Sequence, residues 1–284
     1  MNIKETAERL ASVGISDALY EARLLANRFL SIPMSTLVML NETKLDFFAG
    51  YGDFTAAVEK RMTRYPLQYI LGEWEFYGLP FYVNENCLIP RADTEVIAER
   101  AIEELKNIGG DGLKTYLDLC TGSGCIAAAV LKNVKNTFGY CVDIDGKTAK
   151  LAEKNLERNN LCGRYSVIVG DAGRDLFDSE TKFDLITANP PYISEDEMRN
   201  LEPELKYEPR IALTDCGDGL SFYEKIIRVY KNPLKPNGKL IFEHGYTQSN
   251  AVCRIAMEMG MTPEVIFDYG RRARGAVLRA SILR

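Results

Sequence analysis

Histidine is almost absent: His244 is the only one in 284 residues. A site built on several imidazoles is therefore excluded, no carboxylate cluster points to another kind of metal site, and no metal is expected. The seven cysteines (87, 120, 125, 141, 162, 216 and 253) are scattered, odd in number and without a C-x-x-C pair, which predicts reduced, mostly buried thiols. No apolar run approaches the ~18 residues of a spanning helix. The opening Met1-Asn2-Ile3-Lys4-Glu5 is charged and runs into an amphipathic pattern, unlike a secretory signal. A cytoplasmic protein with no membrane partner is expected. A basic excess is missing too: 35 Lys and Arg stand against 40 Asp and Glu, for a net charge of −5 and a pI near 5.3. Arg271, Arg272 and Arg274 form the only dense basic cluster, so nucleic acid is disfavoured as the main partner.

What is present is enough apolar sequence, 46%, for a sizeable core, and a length that suits one large domain or two unequal ones. Residues 1–65 read as a small helical bundle for recognition or packing. Ile3, Ala7, Leu10 and Val13 form one apolar stripe; Ala18, Ala22, Leu25 and Phe29 form a second, beyond Gly14, with Ser16 or Asp17 as its cap. Residues 66–90 carry aromatic, β-prone runs punctuated by glycine and read as a hairpin linker. Residues 91–284 form the third region. A helix is expected from Asp93 to Gly109-Gly110, and from Leu113 on strands and helices alternate, the signature of a mostly parallel α/β sheet. The strand candidates are Thr115–Leu119, Phe138–Val142, Tyr165–Val169, Phe183–Ala188, Lys239–Phe242, Glu264–Phe267 and Ala276–Ala280. Only a loop separates the last two, so one of them should run antiparallel.

Two stretches carry chemistry. Asn189-Pro190-Pro191-Tyr192 follows a buried apolar strand, Phe183–Ala188. Two prolines in succession make a stiff, extended rim at the carboxyl end of that strand, where open α/β sheets bind ligands. Asn189 offers an amide oxygen, Pro190 a carbonyl and Tyr192 a flat aromatic face, the complement of a planar –NH2 group. The second stretch is the strand Tyr116-Leu117-Asp118-Leu119 running into Cys120-Thr121-Gly122-Ser123-Gly124 and then a helix. Gly122-x-Gly124-x-x-Ala127, with Asp143 about 20 residues further on, also fits a nicotinamide-dinucleotide fingerprint. Asp118 tips the balance. A carboxylate beside a pyrophosphate is repelled by ~1–4 kcal/mol, whereas it suits the amino group and sulfonium of S-adenosylmethionine. Asp118 has a plainer reading as a strand-end acid capping loop N–H groups. Asp171, with Ala172, reads either as a holder of an adenine amine or as a turn-former; a backbone group beside it could hold the amine instead.

Taken together these residues resemble the N5-glutamine methyltransferases that modify class 1 peptide-chain release factors. The matching pieces are Pro66-Leu67-Gln68-Tyr69-Ile70-Leu71-Gly72, Phe76-Tyr77-Gly78, Leu88-Ile89-Pro90-Arg91, Thr94-Glu95, Thr121-Gly122-Ser123-Gly124, Asp143, Asn189-Pro190-Pro191-Tyr192 and Glu208-Pro209-Arg210. The match runs from about residue 60 to the end; the helical start agrees in character more than in letters. Pro90-Arg91-Ala92-Asp93 stands where the family usually has Pro-Arg-Pro-Glu or Pro-Arg-Pro-Asp, and His244 stands where an aliphatic residue is frequent. The Asn-Pro-Pro-Tyr element is shared with adenine-N6 DNA methyltransferases and some ribosomal RNA guanine methyltransferases.

The resemblance implies a Rossmann-like class I methyltransferase with a seven-stranded, mostly parallel sheet and a small N-terminal helical bundle. It implies S-adenosylmethionine as cofactor, on Asp118, Cys120, Thr121, Gly122, Ser123, Gly124, Asp143, Asp171, Ala172 and Asn189. It implies a catalytic role for Asn189, Pro190, Pro191 and Tyr192, a release-factor glutamine as acceptor and a part in translation termination. A nucleic-acid N-methyltransferase is the competing class; a dinucleotide-dependent dehydrogenase or a silent binding module is the third.

Overall fold

The structure, a computed structural model, describes residues 1–110 and 112–280. Of the region read as residues 91–284, residues 111 and 281–284 therefore lie outside the described residues. The chain forms two compact units. The first comprises Met1–Glu73 together with Glu202–Tyr207; the second comprises Trp74–Leu201 and the chain from Glu208 onward.

The first unit is helical: α1 (Ile3–Ser12), α2 (Ala18–Leu30), α3 (Met34–Leu37), α4 (Tyr51–Met62) and α5 (Leu67–Leu71). Asn2 and Glu5 close a capping box on α1, each side chain accepting the other's backbone N–H, at 2.8 and 3.0 Å. Ile3, Leu10, Ala18, Ala22 and Leu25 from the two expected stripes are buried. Arg61 is the polar centre of this unit. Its guanidinium donates to Glu21 at 2.6 and 3.0 Å and to Glu204 at 2.9 Å, while Arg64 donates to Glu204 at 2.7 Å. The returning segment is thus fastened to the helices by a half-buried carboxylate between two cations. The stretch read as a linker divides: α5 belongs to the helical unit, and only β1 (Glu73–Phe76) and β2 (Leu79–Tyr82) form the hairpin.

In the second unit, α6 (Glu95–Asn107), β3 (Lys114–Leu119), α7 (Cys125–Asn133), β4 (Thr137–Asp143), α8 (Gly146–Arg158), β5 (Tyr165–Val169) and β6 (Phe183–Ala188) alternate as expected. After them come a short α9 (Arg210–Leu213), α10 (Ser221–Tyr230), β7 (Leu234–Glu243), α11 (Ser249–Glu258), β8 (Met261–Phe267) and β9 (Ala273–Ala280). Seven strands lie in the order β5-β4-β3-β6-β7-β9-β8. All neighbours are parallel except β9, which is antiparallel to both β7 and β8. The strand expected to reverse is therefore the last.

The sheet separates two apolar layers, and the alternation of strand side chains assigns residues to them. Tyr116 of β3 enters the layer with α6 and α7, whereas Leu117 and Leu119 enter the layer with α10. β3 and β6 are adjacent at the centre, where the strand order reverses. That reversal opens a crevice at the carboxyl ends of the strands.

Candidate active site

Every sequence-predicted residue of the site sits just beyond, or at, the carboxyl end of a strand: Asp118 on β3 and Cys120 just after it, Asp143 on β4, Asp171 after β5 and Asn189 after β6. Most of them line a cavity of about 480 Å³ there, within the range that holds a small-molecule ligand. Its wall includes Cys120, Thr121, Gly122, Ser123, Asp143, Asp171, Ala172, Asn189 and Pro191.

The glycine turn is built for close approach. Cys120 and Gly122 both adopt left-handed backbone, with φ of 56° each. A Cβ added at Gly122 would meet nothing within 4 Å, so the turn presents bare backbone to the cavity. The Gly122 N–H donates to Oδ2 of Asp143 at 2.9 Å, and the Asp145 N–H donates to Oδ1 at 3.1 Å. Burial pushes the Asp143 carboxyl above its ordinary range, against these backbone donors, which pull it down. The Cys120 thiol is also pushed up by burial, with Asp143 and Asp118 adding to the effect, so it stays protonated and is no nucleophile.

Asp118 takes a different position from the other acids. It shares the parity of Tyr116, so its side chain turns into the buried layer, is 1% exposed and forms no part of the cavity wall. Its oxygens accept hydroxyl hydrogens from Thr121 at 2.6 Å and Thr187 at 2.5 Å, with Tyr116 at 3.4 Å. Burial raises its carboxyl to about 6 in spite of those donors. Asp118 thus braces the turn from behind, through Thr121.

Asp171 forms a turn, accepting the Gly173 N–H at 2.8 Å, and still lines the cavity together with Ala172. Gly124 starts α7, packed near Ala152, and is not on the wall. Beyond β6, Asn189 is half-buried on the wall, and among the described residues nothing hydrogen-bonds to its side-chain amide. Pro190 is buried, and Tyr192 lies behind the wall rather than on it, partly packed on the core. The Tyr192 carbonyl accepts from Nε2 of Gln248 at 2.8 Å and its hydroxyl donates to Glu243 at 3.4 Å.

Arg91 escaped the sequence reading as a ligand-facing group, and other residues hold the site from behind. Arg91 lines the cavity and pairs with Glu208, whose buried carboxylate also accepts the Ile89 N–H at 3.0 Å. Asn155 of α8, fully buried, donates to the Ser123 carbonyl at 2.9 Å and exchanges hydrogen bonds with the backbone of Tyr82 at 2.7 and 3.0 Å. The signal for Asn155 was present, since it occupies a core position beside Leu151, Ala152 and Leu156. His244 is fully buried with Nδ1 2.9 Å from the Gly245 carbonyl oxygen, and burial lowers its pKa. It is a neutral core residue, so the departure there leaves the cavity untouched. Among the described residues no group of three His, Cys, Asp or Glu side chains is placed to hold a metal ion.

A seven-stranded sheet with one antiparallel strand near its edge, a glycine turn after the first parallel strand and an acid ending the next define a methyltransferase fold. The family description "Methyltransferase small domain" matches residues 102–218, and "PrmC N-terminal domain" matches residues 3–72. Solved structures agree at the level of fold: a methyltransferase from Pyrococcus furiosus (TM-score 0.51, 18% identity, 81% of this chain and 100% of that one). Another is the hMettl16 catalytic domain in complex with MAT2A 3'UTR hairpin 1 (TM-score 0.57, 17% identity, 81% of this chain and 79% of that one). Among curated proteins, the release factor glutamine methyltransferase of Thermodesulfovibrio yellowstonii is 40% identical over 226 residues, 79% of this chain and 80% of that protein. The one from Fusobacterium nucleatum subsp. nucleatum is 42% identical over 221 residues, 77% of this chain and 61% of that protein. A bifunctional methyltransferase of Rickettsia typhi is 36% identical over 280 residues, 92% of this chain. This chain spans 53% of that protein's length, and less than two thirds of the Fusobacterium relative. The chain belongs to the release factor glutamine methyltransferase family. Among the described residues no helix is long and apolar enough to cross a membrane.

Proposed function

We propose that this protein transfers a methyl group from S-adenosylmethionine to the side-chain amide nitrogen of the glutamine in the Gly-Gly-Gln segment of class 1 release factors. The observation that carries this reading is the unpartnered carboxamide of Asn189, facing the same cavity as the bare Gly122 turn and Asp143. That donor set suits the cofactor. Asp143 is placed to accept ribose hydroxyls, the turn backbone leaves room for close approach, and Asp171 or the backbone at Ala172 suits an adenine amine. Asp118 contributes from behind the turn by holding Thr121.

When bound, S-adenosylmethionine supplies a methyl group on a cationic sulfur, so the group that departs is neutral. A carboxamide nitrogen is a poor nucleophile because its lone pair is delocalised, and orientation matters more than a strong base. The Asn189 oxygen and the Pro190 carbonyl are the two acceptors for the acceptor's –NH2 hydrogens. They stabilise positive charge growing on that nitrogen, and the stiff Pro190-Pro191 backbone keeps them from relaxing away. The nitrogen gains a methyl group and sheds one proton to solvent, so no side chain has to act as general base. A role in translation termination places the enzyme in the cytoplasm.

The test is a methyl-transfer assay with tritiated S-adenosylmethionine on a recombinant bacterial class 1 release factor, followed by mass spectrometry of the Gly-Gly-Gln peptide. One added methyl on the glutamine is expected, with no label in DNA or RNA. Label in nucleic acid and none in the release factor would replace this reading with the nucleic-acid one.

A further inference from the structure

Tyr192 is gripped at both ends. Its carbonyl accepts from Gln248, whose Oε1 in turn accepts the Gly245 N–H at 2.9 Å. Its hydroxyl donates to Oε1 of Glu243 at 3.4 Å. Glu243 is the last residue of β7, the strand beside β6, so the neighbouring strand reaches under the loop that carries Asn189.

Glu243 is an expensive residue for that place. It is 3% exposed, and its Oε2 has no hydrogen-bond partner among the described residues. A buried carboxylate usually has a cation of its own. The nearby guanidinium of Arg274 is already taken by Asp93 at 2.5 Å and Asp268 at 3.0 Å. Packing alone would be served as well by glutamine or leucine, without a charge to desolvate.

We propose that Glu243 is a positioning residue for the methyl transfer, its carboxylate holding the Tyr192 hydroxyl and thereby setting the Asn189–Tyr192 loop against the acceptor amide. This rests on the assignment of that loop as the acceptor site. The groups facing the carboxyl are Tyr192 from the loop after β6, Asp93 and Thr94 from the turn before α6, and Arg274 from β9. Tyr223 of α10 donates to the Glu243 backbone carbonyl at 3.2 Å, and the neutral His244 follows in sequence. Burial raises the Glu243 carboxyl to about 7, with Asp93 adding to the rise and Thr94, Arg274 and Tyr192 opposing it. A hydroxyl bonded to a carboxylate is held roughly twice as strongly as one bonded to a neutral acceptor. Protonation near neutrality therefore loosens the grip on Tyr192.

The experiment measures kcat and KM from pH 5.5 to 9 for the wild type, Glu243→Gln and Tyr192→Phe. A recombinant class 1 release factor is the acceptor, and adenosylhomocysteine affinity is measured alongside. Wild-type kcat should rise about tenfold between pH 6 and pH 8, following one ionisation. Both variants should lose that rise and sit at the low level throughout, with adenosylhomocysteine affinity within about twofold of wild type. A purely structural Glu243 would lower the folded fraction without flattening the profile. A flat wild-type profile, or an unchanged acid limb in Glu243→Gln and Tyr192→Phe, overturns the role of Glu243 while the acceptor assignment stands. A wild type that binds adenosylhomocysteine yet leaves the release factor unmethylated removes the acceptor assignment, and this inference with it.

Discussion

The backbone N–H of Gly122 donates to Oδ2 of Asp143 at 2.9 Å, tying the glycine turn after β3 to the acid that ends β4. One carboxylate thus shapes the turn and faces the cavity. Asp143→Ala should weaken adenosylhomocysteine binding by about 10- to 100-fold, the worth of one or two hydrogen bonds to a charged group. Isothermal titration calorimetry would read this directly. Affinity within twofold of wild type would remove Asp143 from the cofactor's contacts.

Asn189→Ala takes away one of two proposed acceptors while leaving the proline rim in place. Turnover should fall by ~10²–10³ with adenosylhomocysteine affinity little changed. Single-turnover methylation of a release factor separates the two. Near-normal turnover would show that the Asn189 oxygen does not meet the acceptor amide.

Gly219 adopts left-handed backbone (φ +79°), and a Cβ there would lie 2.2 Å from the Tyr192 carbonyl oxygen. That carbonyl is backbone and has little room to yield, so Gly219→Ala should destabilise the protein by about 1–3 kcal/mol. It should also cut turnover more than cofactor affinity, because the loop displaced carries Asn189. Thermal melting and adenosylhomocysteine titration of the same preparation would decide. A variant as stable and active as wild type would mean the two loops can separate freely.

Asp118 gives a pH signature. Its carboxyl is raised from 3.8 to about 6, so between those pH values the folded state holds a proton that the unfolded state has released. Stability from this group is therefore fully present below about pH 4 and is lost as pH climbs through about 6, a change of roughly 3 kcal/mol. Urea melts of the wild type and Asp118→Asn at pH 4 and pH 7 should differ by a pH-dependent margin of that sign. Parallel pH dependences in the two proteins would show that Asp118 titrates normally.

Much of this architecture could be read from the chain because its signals are contiguous. Phe183–Ala188, Tyr165–Val169, Cys125–Asn133 and Ser221–Tyr230 have the bounds their apolar runs or spacing announce. The glycine turn and the Asn-Pro-Pro-Tyr rim each carry their chemistry within a few residues, and the cavity joins them. β7 was harder. The sequence places this strand at Lys239–Phe242, yet it begins at Leu234 and passes through Pro236, Asn237 and Gly238 with a shift in register against β6, as bulged strands do. The direction of Asp118 was partly legible, since alternation puts it on Tyr116's side. Which layer each side enters depends on helices far away in sequence. The contact of Arg91 with Glu208 spans 117 residues and has no local signal at all. The same holds for Glu243, whose meaning comes from a neighbouring strand.

The helical unit includes Glu204, which neutralises Arg61 and Arg64. These partners are 143 and 140 residues apart. During synthesis the five helices leave the ribosome early, but Arg64 lacks its carboxylate, and Arg61 has only Glu21, until translation has passed residue 207. A fragment ending at Glu73 would keep one of those cations buried with half its counter-charge missing. The amino-terminal unit is thus the first to be started, yet it is complete only once residue 207 has been made.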